Sequence, residues 1–222
     1  MNKVFIVANL KSYETEIEAK KWLEIFLKNI KNLNEDLSQK AIIICPPFTL
    51  LELFKEFFLT NKIKVFLGAQ DISPFDEGAY TGEINAKQIK EFAEFVLIGH
   101  SERRKNFNET DDVLSKKVEI SLRYGLKPIF LVQNNDSLIP QGVEIIAYEP
   151  VFAIGSGTPD TPENADKVAA LIRERGNYQI LYGGSVTSEN VVGFTKMENI
   201  RGVLVGGASL NAEEFIKIIQ NA

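Results

Sequence analysis

"KPIFLVQNNDSLIPQGVEIIAYE" (residues 127–149) holds two apolar runs separated by a polar interval, and its reading decides what fold the chain can form. "KPIFLV" (127–132) and "VEIIAYE" (143–149) are rich in Val, Ile, Leu and Phe with little polar alternation, as in parallel strands covered on both faces. Between them lies only "QNNDSLIPQG" (133–142), which is polar, contains Pro140 and Gly142, and shows no helical period. A parallel crossover usually needs about a dozen residues or more. Either these two strands are joined by an unusually short connection, or one of the two runs is not a strand.

Outward from this interval the chain is regular. Six further strand-like runs are "KVFIVAN" (3–9), "AIIIC" (41–45), "KVFLGAQ" (64–70), "EFVLIG" (94–99), "YQILYG" (178–183) and "RGVLVG" (201–206). Between runs lie helical patterns, the clearest being "EIEAKKWLEIFLKNI", "TLLELFKEFF", "NAKQIKEFA", "DDVLSKKVEISLRYG", "TPENADKVAALIRERG" and "NAEEFIKIIQ". Thr161 is placed to cap a helix with Pro162 at its first position, and Asn211 stands three residues before Glu214 in a capping-box arrangement. No linker, composition break or low-complexity tract divides the chain, so residues 1–222 are expected to form one domain. Eight strand runs alternating with helices are the count of a (β/α)8 barrel, with the helix after strand five missing or much shortened. An open doubly wound sheet is the alternative, since a count of strands does not prove closure.

Composition narrows the function classes. Hydrophobic residues make up 45% and charged residues 25% of the 222, an ordinary globular balance. The net charge is −5 and the longest basic run is "RRK" (103–105), so neither nucleic acid nor an acidic membrane surface is an expected partner. Cys45 is the only cysteine, which excludes an intrachain disulfide and fits a reducing cytoplasm. No apolar run has the length of a signal sequence or a membrane span, and a cytoplasmic location is expected. With one His and one Cys, only a carboxylate metal site could form, and none is visible.

In such a barrel the chemistry sits in loops beyond the carboxyl ends of the strands. Strand one ends in Asn9 with Lys11 two residues on, which places both on one face of an extended chain. Strand four, in "FVLIGHSERR" (95–104), leads to His100, the only histidine, then Ser101 and Glu102. Taken alone, a lone histidine is a strand-end cap satisfied by backbone; a lysine, carboxylates and glycine loops at the same rim favour function. Strand six ends in Glu149, followed in "AYEPVFAIGSG" (147–157) by a segment that is apolar in its middle and bounded by Pro150 and the glycines Gly155 and Gly157. That pattern suits a lid that keeps water from a base. Strands seven and eight end in "YGGSV" (182–186) and "VGGASL" (205–210), whose glycines let bare backbone N–H groups approach an anion.

The segments "ANLK" (8–11), "GAQDISPFDEGAYTGEI" (68–84), "IGHSERR" (98–104), "AYEPVFAIGSG", "YGGSV" and "VGGASL" resemble, in order and spacing, the triosephosphate isomerase family along nearly the whole chain. The resemblance implies a cofactor-free isomerase acting on triose phosphates, with a base and a neutral imidazole as that family's known pairing. It implies Glu149 as the base and His100 as the carbonyl polariser. By the same resemblance Lys11 and Asn9 would stabilise the enediolate, and Glu102 would pair with Lys11 or shuttle protons. Gly155, Ser185, Gly206 and Gly207 would receive the phosphate. Pro150, Val151, Phe152, Ala153, Ile154, Gly155, Ser156 and Gly157 would form the lid, held by Tyr182 and Ser185. It further implies a homodimer through the 71–84 loop, with Thr81 reaching the partner's Asn9.

The chain departs from the family at Leu10 (usually Trp), at Phe152 (usually Trp or Leu) and in "SGTP" (156–159). After strand five, Leu131, Gln133 and Asn134 replace a Cys-x-Gly-Glu run and a long helix. Two other classes stay open on sequence: a barrel that binds phosphorylated ligands without turnover, and an aldolase using Lys11 as a Schiff base.

Overall fold

A computed structural model describes residues 3–33, 37–153 and 157–222. Eight parallel strands close in sequence order into a barrel, which decides against the open sheet. They are β1 (Val4–Asn9), β2 (Lys40–Cys45), β3 (Phe66–Ala69), β4 (Phe95–Ile98), β5 (Lys127–Val132), β6 (Ile145–Tyr148), β7 (Gln179–Tyr182) and β8 (Ile200–Val205). The expected runs at 64–70, 94–99, 143–149 and 178–183 thus shorten at both ends, although flanking residues such as Glu94, Glu149 and Gly183 still bond to the neighbouring strand.

Alternate residues of each strand face opposite ways. Val7, Ile43, Leu97, Ile129, Leu131, Leu181 and Leu204 fill the barrel interior. Ile6, Ile44, Val96, Phe130, Ile146 and Ile180 belong to a second apolar layer, shared with helical residues such as Trp22, Phe54 and Phe215. Burial on both faces is why the strands read as unbroken apolar runs.

The helices are α1 (Glu16–Lys31), α2 (Leu51–Asn61), α3 (Ala86–Lys90), α4 (Ser101–Phe107), α5 (Asp111–Arg123), α6 (Pro162–Arg173), α7 (Val191–Thr195) and α8 (Ala212–Asn221). Thr161 caps α6 as expected, its side chain accepting from Asn164 N–H with Pro162 in the first turn. At α8 only half of the expected capping box forms. Asn211 accepts from Glu214 N–H at 3.0 Å, while the Glu214 carboxylate accepts from Ser188 N–H at 2.7 Å.

No helix lies between β5 and β6. The strands nonetheless pair in register from Ile129↔Ile145 to Val132↔Tyr148, so both runs of the opening stretch are strands joined by a short connection. The connecting segment makes its own turn: the Ser137 hydroxyl accepts from Gln133 and Asn134 N–H at 3.3 Å each and donates to Asn134 Oδ1 at 3.1 Å. Pro140 and Val143 are buried, and Ile139 packs against the outer layer. The Arg175 guanidinium donates to the carbonyls of Asn135 and Ser137. Among the described residues no helix is long and apolar enough to cross a membrane.

Candidate active site

A cavity of about 610 Å³ lies at the carboxyl ends of the strands. Of the sequence-predicted residues, Asn9, Lys11, His100, Glu149, Ser185, Gly206 and Gly207 line it. How each side chain arrives there follows from local backbone.

Lys11 is not on an extended chain, as its spacing from Asn9 suggested. Its φ is +54°, a left-handed conformation rare outside glycine, costing of order 1–3 kcal/mol. The turn is held by its N–H donating to Asn9 Oδ1 at 3.0 Å and by Gln70 Nε2 donating to its carbonyl at 2.7 Å. A second Gln70 bond reaches the Cys45 carbonyl at 2.9 Å. The turn keeps Asn9 and the Lys11 ammonium at one mouth, with Lys11 Nζ paired to the Glu102 carboxylate.

His100 follows Gly99, whose φ is +86°. A Cβ on Gly99 would sit 3.2 Å from the Leu131 carbonyl, a tight contact, and the left-handed conformation favours glycine. The turn puts His100 at the N-cap of α4, where Nδ1 accepts from Glu102 N–H at 3.1 Å. An Nδ1 that accepts carries no proton, so the neutral ring bears its hydrogen on Nε2. Burial pushes the His100 pKa down to about 4; Glu102 opposes that shift, while Lys11 and Arg103 add to it. The backbone-satisfied strand-end cap weighed for a lone histidine is therefore real, and it settles which nitrogen faces the cavity.

Glu149 is 2% exposed. Its Oε1 lies 3.2 Å from His100 Nε2, and its Oε2 accepts from Ser101 N–H at 3.2 Å. Burial raises its pKa to about 8 against the pull of Ser101 and Lys11. Gly183 packs close enough that a Cβ there would lie 2.9 Å from Glu149 Cγ.

Pro150, Val151, Phe152, Ala153 and Gly157 of the expected lid are described; Ile154, Gly155 and Ser156 lie outside the described residues. Val151 and Phe152 are 59% and 63% exposed, whereas Ala153 is buried. The Ser185 hydroxyl donates to the Ala153 carbonyl at 2.7 Å, and the Tyr182 hydroxyl accepts from Asp160 N–H at 2.8 Å. Gly157 has φ +74°. Thr81 is exposed on its loop.

Sequence reading named Ser101 only as the residue after His100, not as a donor to Glu149, and missed the role of Gln70 and the charges behind α4. Arg103 bonds Asp71 and Glu109 at 2.8 Å each, and Lys117 meets Asp71 at 2.6 Å and Glu109 at 2.5 Å. Only the position of Gln70, just past β3, hinted at the rim. Among the described residues no group of His, Cys, Asp and Glu could hold a metal ion.

The sequence matches the family described as Triosephosphate isomerase over residues 4–142 and 139–222. It is 37% identical over 243 residues to a triosephosphate isomerase of Trichodesmium erythraeum, covering 99% of each chain. It is 40% identical over 251 residues to that of Thermodesulfovibrio yellowstonii, covering 99% of this chain and all of the relative. The crystal structure of triosephosphate isomerase from Bartonella henselae superposes with a TM-score of 0.82 at 30% identity, covering 99% of this chain and 100% of that one.

Proposed function

The chain belongs to the triosephosphate isomerase family, and from that premise we propose how its residues interconvert dihydroxyacetone phosphate and D-glyceraldehyde 3-phosphate. The observation that carries the assignment of roles is the pairing of a buried carboxyl with an imidazole held neutral, 3.2 Å apart, beside Lys11.

Glu149 as carboxylate takes the proton from the carbon next to the carbonyl. The C–H electrons become the C=C bond of an enediolate and the carbonyl electrons move onto oxygen. The hydroxyl proton of the neighbouring oxygen passes to that oxygen. The oxygen so deprotonated becomes the new carbonyl as the C=C electrons take the proton from Glu149 at the former carbonyl carbon. A pKa raised to about 8 by burial makes it a stronger base than an exposed carboxylate while leaving it partly ionised near neutrality. His100 donates from Nε2 to the developing oxyanion, and Lys11 and Asn9 add charge and a donor there. In the resting arrangement the Nε2–H faces Glu149 and Lys11 is held by Glu102. Substrate must therefore displace both contacts, with Glu149 moving off Ser101 toward carbon. The Lys11–Glu102 pair also speaks against an aldolase, which needs a free neutral amine.

Ser185, Gly206 and Gly207 receive the phosphate, completed by Gly155 of the lid. The exposed Val151 and Phe152 are the apolar surface that closure covers. Two such chains form a homodimer. The 71–84 loop, stiffened by the Phe75–Tyr80 stack at 4.3 Å, carries Thr81 toward the partner's Asn9. A cavity of about 310 Å³ that includes Asn9, Phe48, Gln70 and Glu102 receives that loop. The enzyme works in the cytoplasm and needs no cofactor.

Turnover of glyceraldehyde 3-phosphate, coupled to NADH oxidation through glycerol-phosphate dehydrogenase, tests this reading. Turnover without a borohydride-trapped adduct is expected. A folded dimer that binds glycerol 3-phosphate but turns nothing over would contradict it.

A further inference from the structure

We infer that Asn190 is a positioning residue for the phosphate-receiving loop: its side-chain amide ties Ser185 to Thr187 and so fixes where Ser185 presents its N–H. The inference rests on the functional reading above, whose phosphate site it deepens.

The loop after β7 begins with Gly183 and Gly184, which give it little stiffness of its own. A loop that must order itself around an anion loses affinity in doing so, unless something holds it beforehand. Asn190 does this from both ends of its amide. Nδ2 donates to the Ser185 carbonyl at 3.0 Å, and Oδ1 accepts from Thr187 N–H at 2.9 Å. Its own N–H donates to the Thr187 carbonyl at 3.3 Å. Although Asn190 stands at the N-cap of α7, its side chain makes no capping bond, so the amide is spent wholly on the loop.

The far side of the turn is anchored separately to α8. Ser188 N–H donates to the Glu214 carboxylate at 2.7 Å, and Asn221 Nδ2 donates to the Ser188 carbonyl at 2.7 Å. With its hydroxyl on Ala153 and its carbonyl on Asn190, Ser185 keeps one polar group without a partner among the described residues: its backbone N–H. Ser185 and Asn190 both line the cavity. No carboxylate or hydroxyl reproduces the clasp, because it needs a donor and an acceptor on one short planar group.

The test compares the unmodified protein with Asn190→Ala, reading sn-glycerol 3-phosphate binding by calorimetry and kcat/KM for glyceraldehyde 3-phosphate and for phosphate-free glyceraldehyde. Loss of the two bonds is expected to weaken glycerol 3-phosphate binding on the order of tenfold. KM for the phosphorylated substrate should rise in step, and the preference for it over glyceraldehyde should fall by a similar factor. Unchanged binding, or equal losses on both substrates, would overturn the inference, since a merely structural role moves both alike. If Asn190→Ala does not fold, Asn190→Ser, whose hydroxyl can still accept from Thr187 N–H, is read the same way. Absence of turnover in the unmodified protein, with the binding difference intact, would refute the functional reading and leave the clasp standing.

Discussion

The connections after β4 and after β5 start side by side in the same barrel and are built on opposite terms. After β4 nearly every group is committed. Gly99 turns the chain through a left-handed conformation, His100 caps α4, and Arg104 donates to the Gly99 carbonyl at 3.0 Å. Behind them, four charged side chains lock α4 and α5 to the loop after β3. After β5 the helix is gone, and a hydroxyl, a few buried apolar residues and one arginine hold the segment. Yet β5 and β6 keep full register. Closure of the barrel is thus a property of strand pairing and of the two apolar layers, which a short covering segment can satisfy. Placement of His100 depends on specific backbone geometry that nothing generic replaces.

The comparison can be broken at the fourth connection first. His100→Ala removes the neutral donor, and kcat should fall by about 10²–10³-fold with the fold intact; a loss of less than tenfold in the coupled assay would move the polarising role elsewhere. Gly99→Ala imposes a side chain at φ +86° against the Leu131 carbonyl. Its cost should be about 1–3 kcal/mol in denaturant titrations, with a drop in turnover as His100 shifts.

The pH dependence sharpens the same point. With its pKa raised to about 8, Glu149 holds a proton below that pH, so kcat/KM should fall as pH drops through this range. The substrate phosphate's own ionisation near about 6 has to be allowed for. His100, neutral down to about 4, should add no limb between pH 5 and 8. For stability the signs differ. The raised pKa of Glu149 favours the folded state below its ordinary value of 4.5, and that contribution is lost as pH rises through about 8. Glu149→Gln should therefore raise the denaturation midpoint at pH 9 more than at pH 5. The lowered pKa of His100 contributes above 6.5 and is lost as pH falls toward 4.

The smallest effect belongs to the fifth connection. Arg175→Ala removes bonds to two exposed carbonyls, and the melting temperature should drop by at most about 3 °C with turnover unchanged. A large loss of turnover would show that the segment does more than cover the barrel.

Much of this was legible in the sequence because the signals are local. Runs such as "FVLI" must be buried on both faces, and Thr161 and Pro162 mark a helix start. The missing fifth helix was legible for the same reason, since Pro140 and Gly142 leave no period to read. What was not legible depends on approach through space. The left-handed Lys11 has no glycine to announce it and is held partly by Gln70, 59 residues away. Ser101 beneath Glu149 is 48 residues distant in sequence. Glu214 looked like half of a capping box because Ser188, its actual donor, comes from another loop.

Substitution of Glu149 by Gln, read for turnover and for binding side by side, tests the central claim most directly. The exchange keeps the shape of the side chain and removes the base. Turnover of glyceraldehyde 3-phosphate should fall by at least about 10²–10⁴-fold while glycerol 3-phosphate still binds. Turnover that survives with the substitution in place would contradict the assignment of Glu149 and the mechanism built on it.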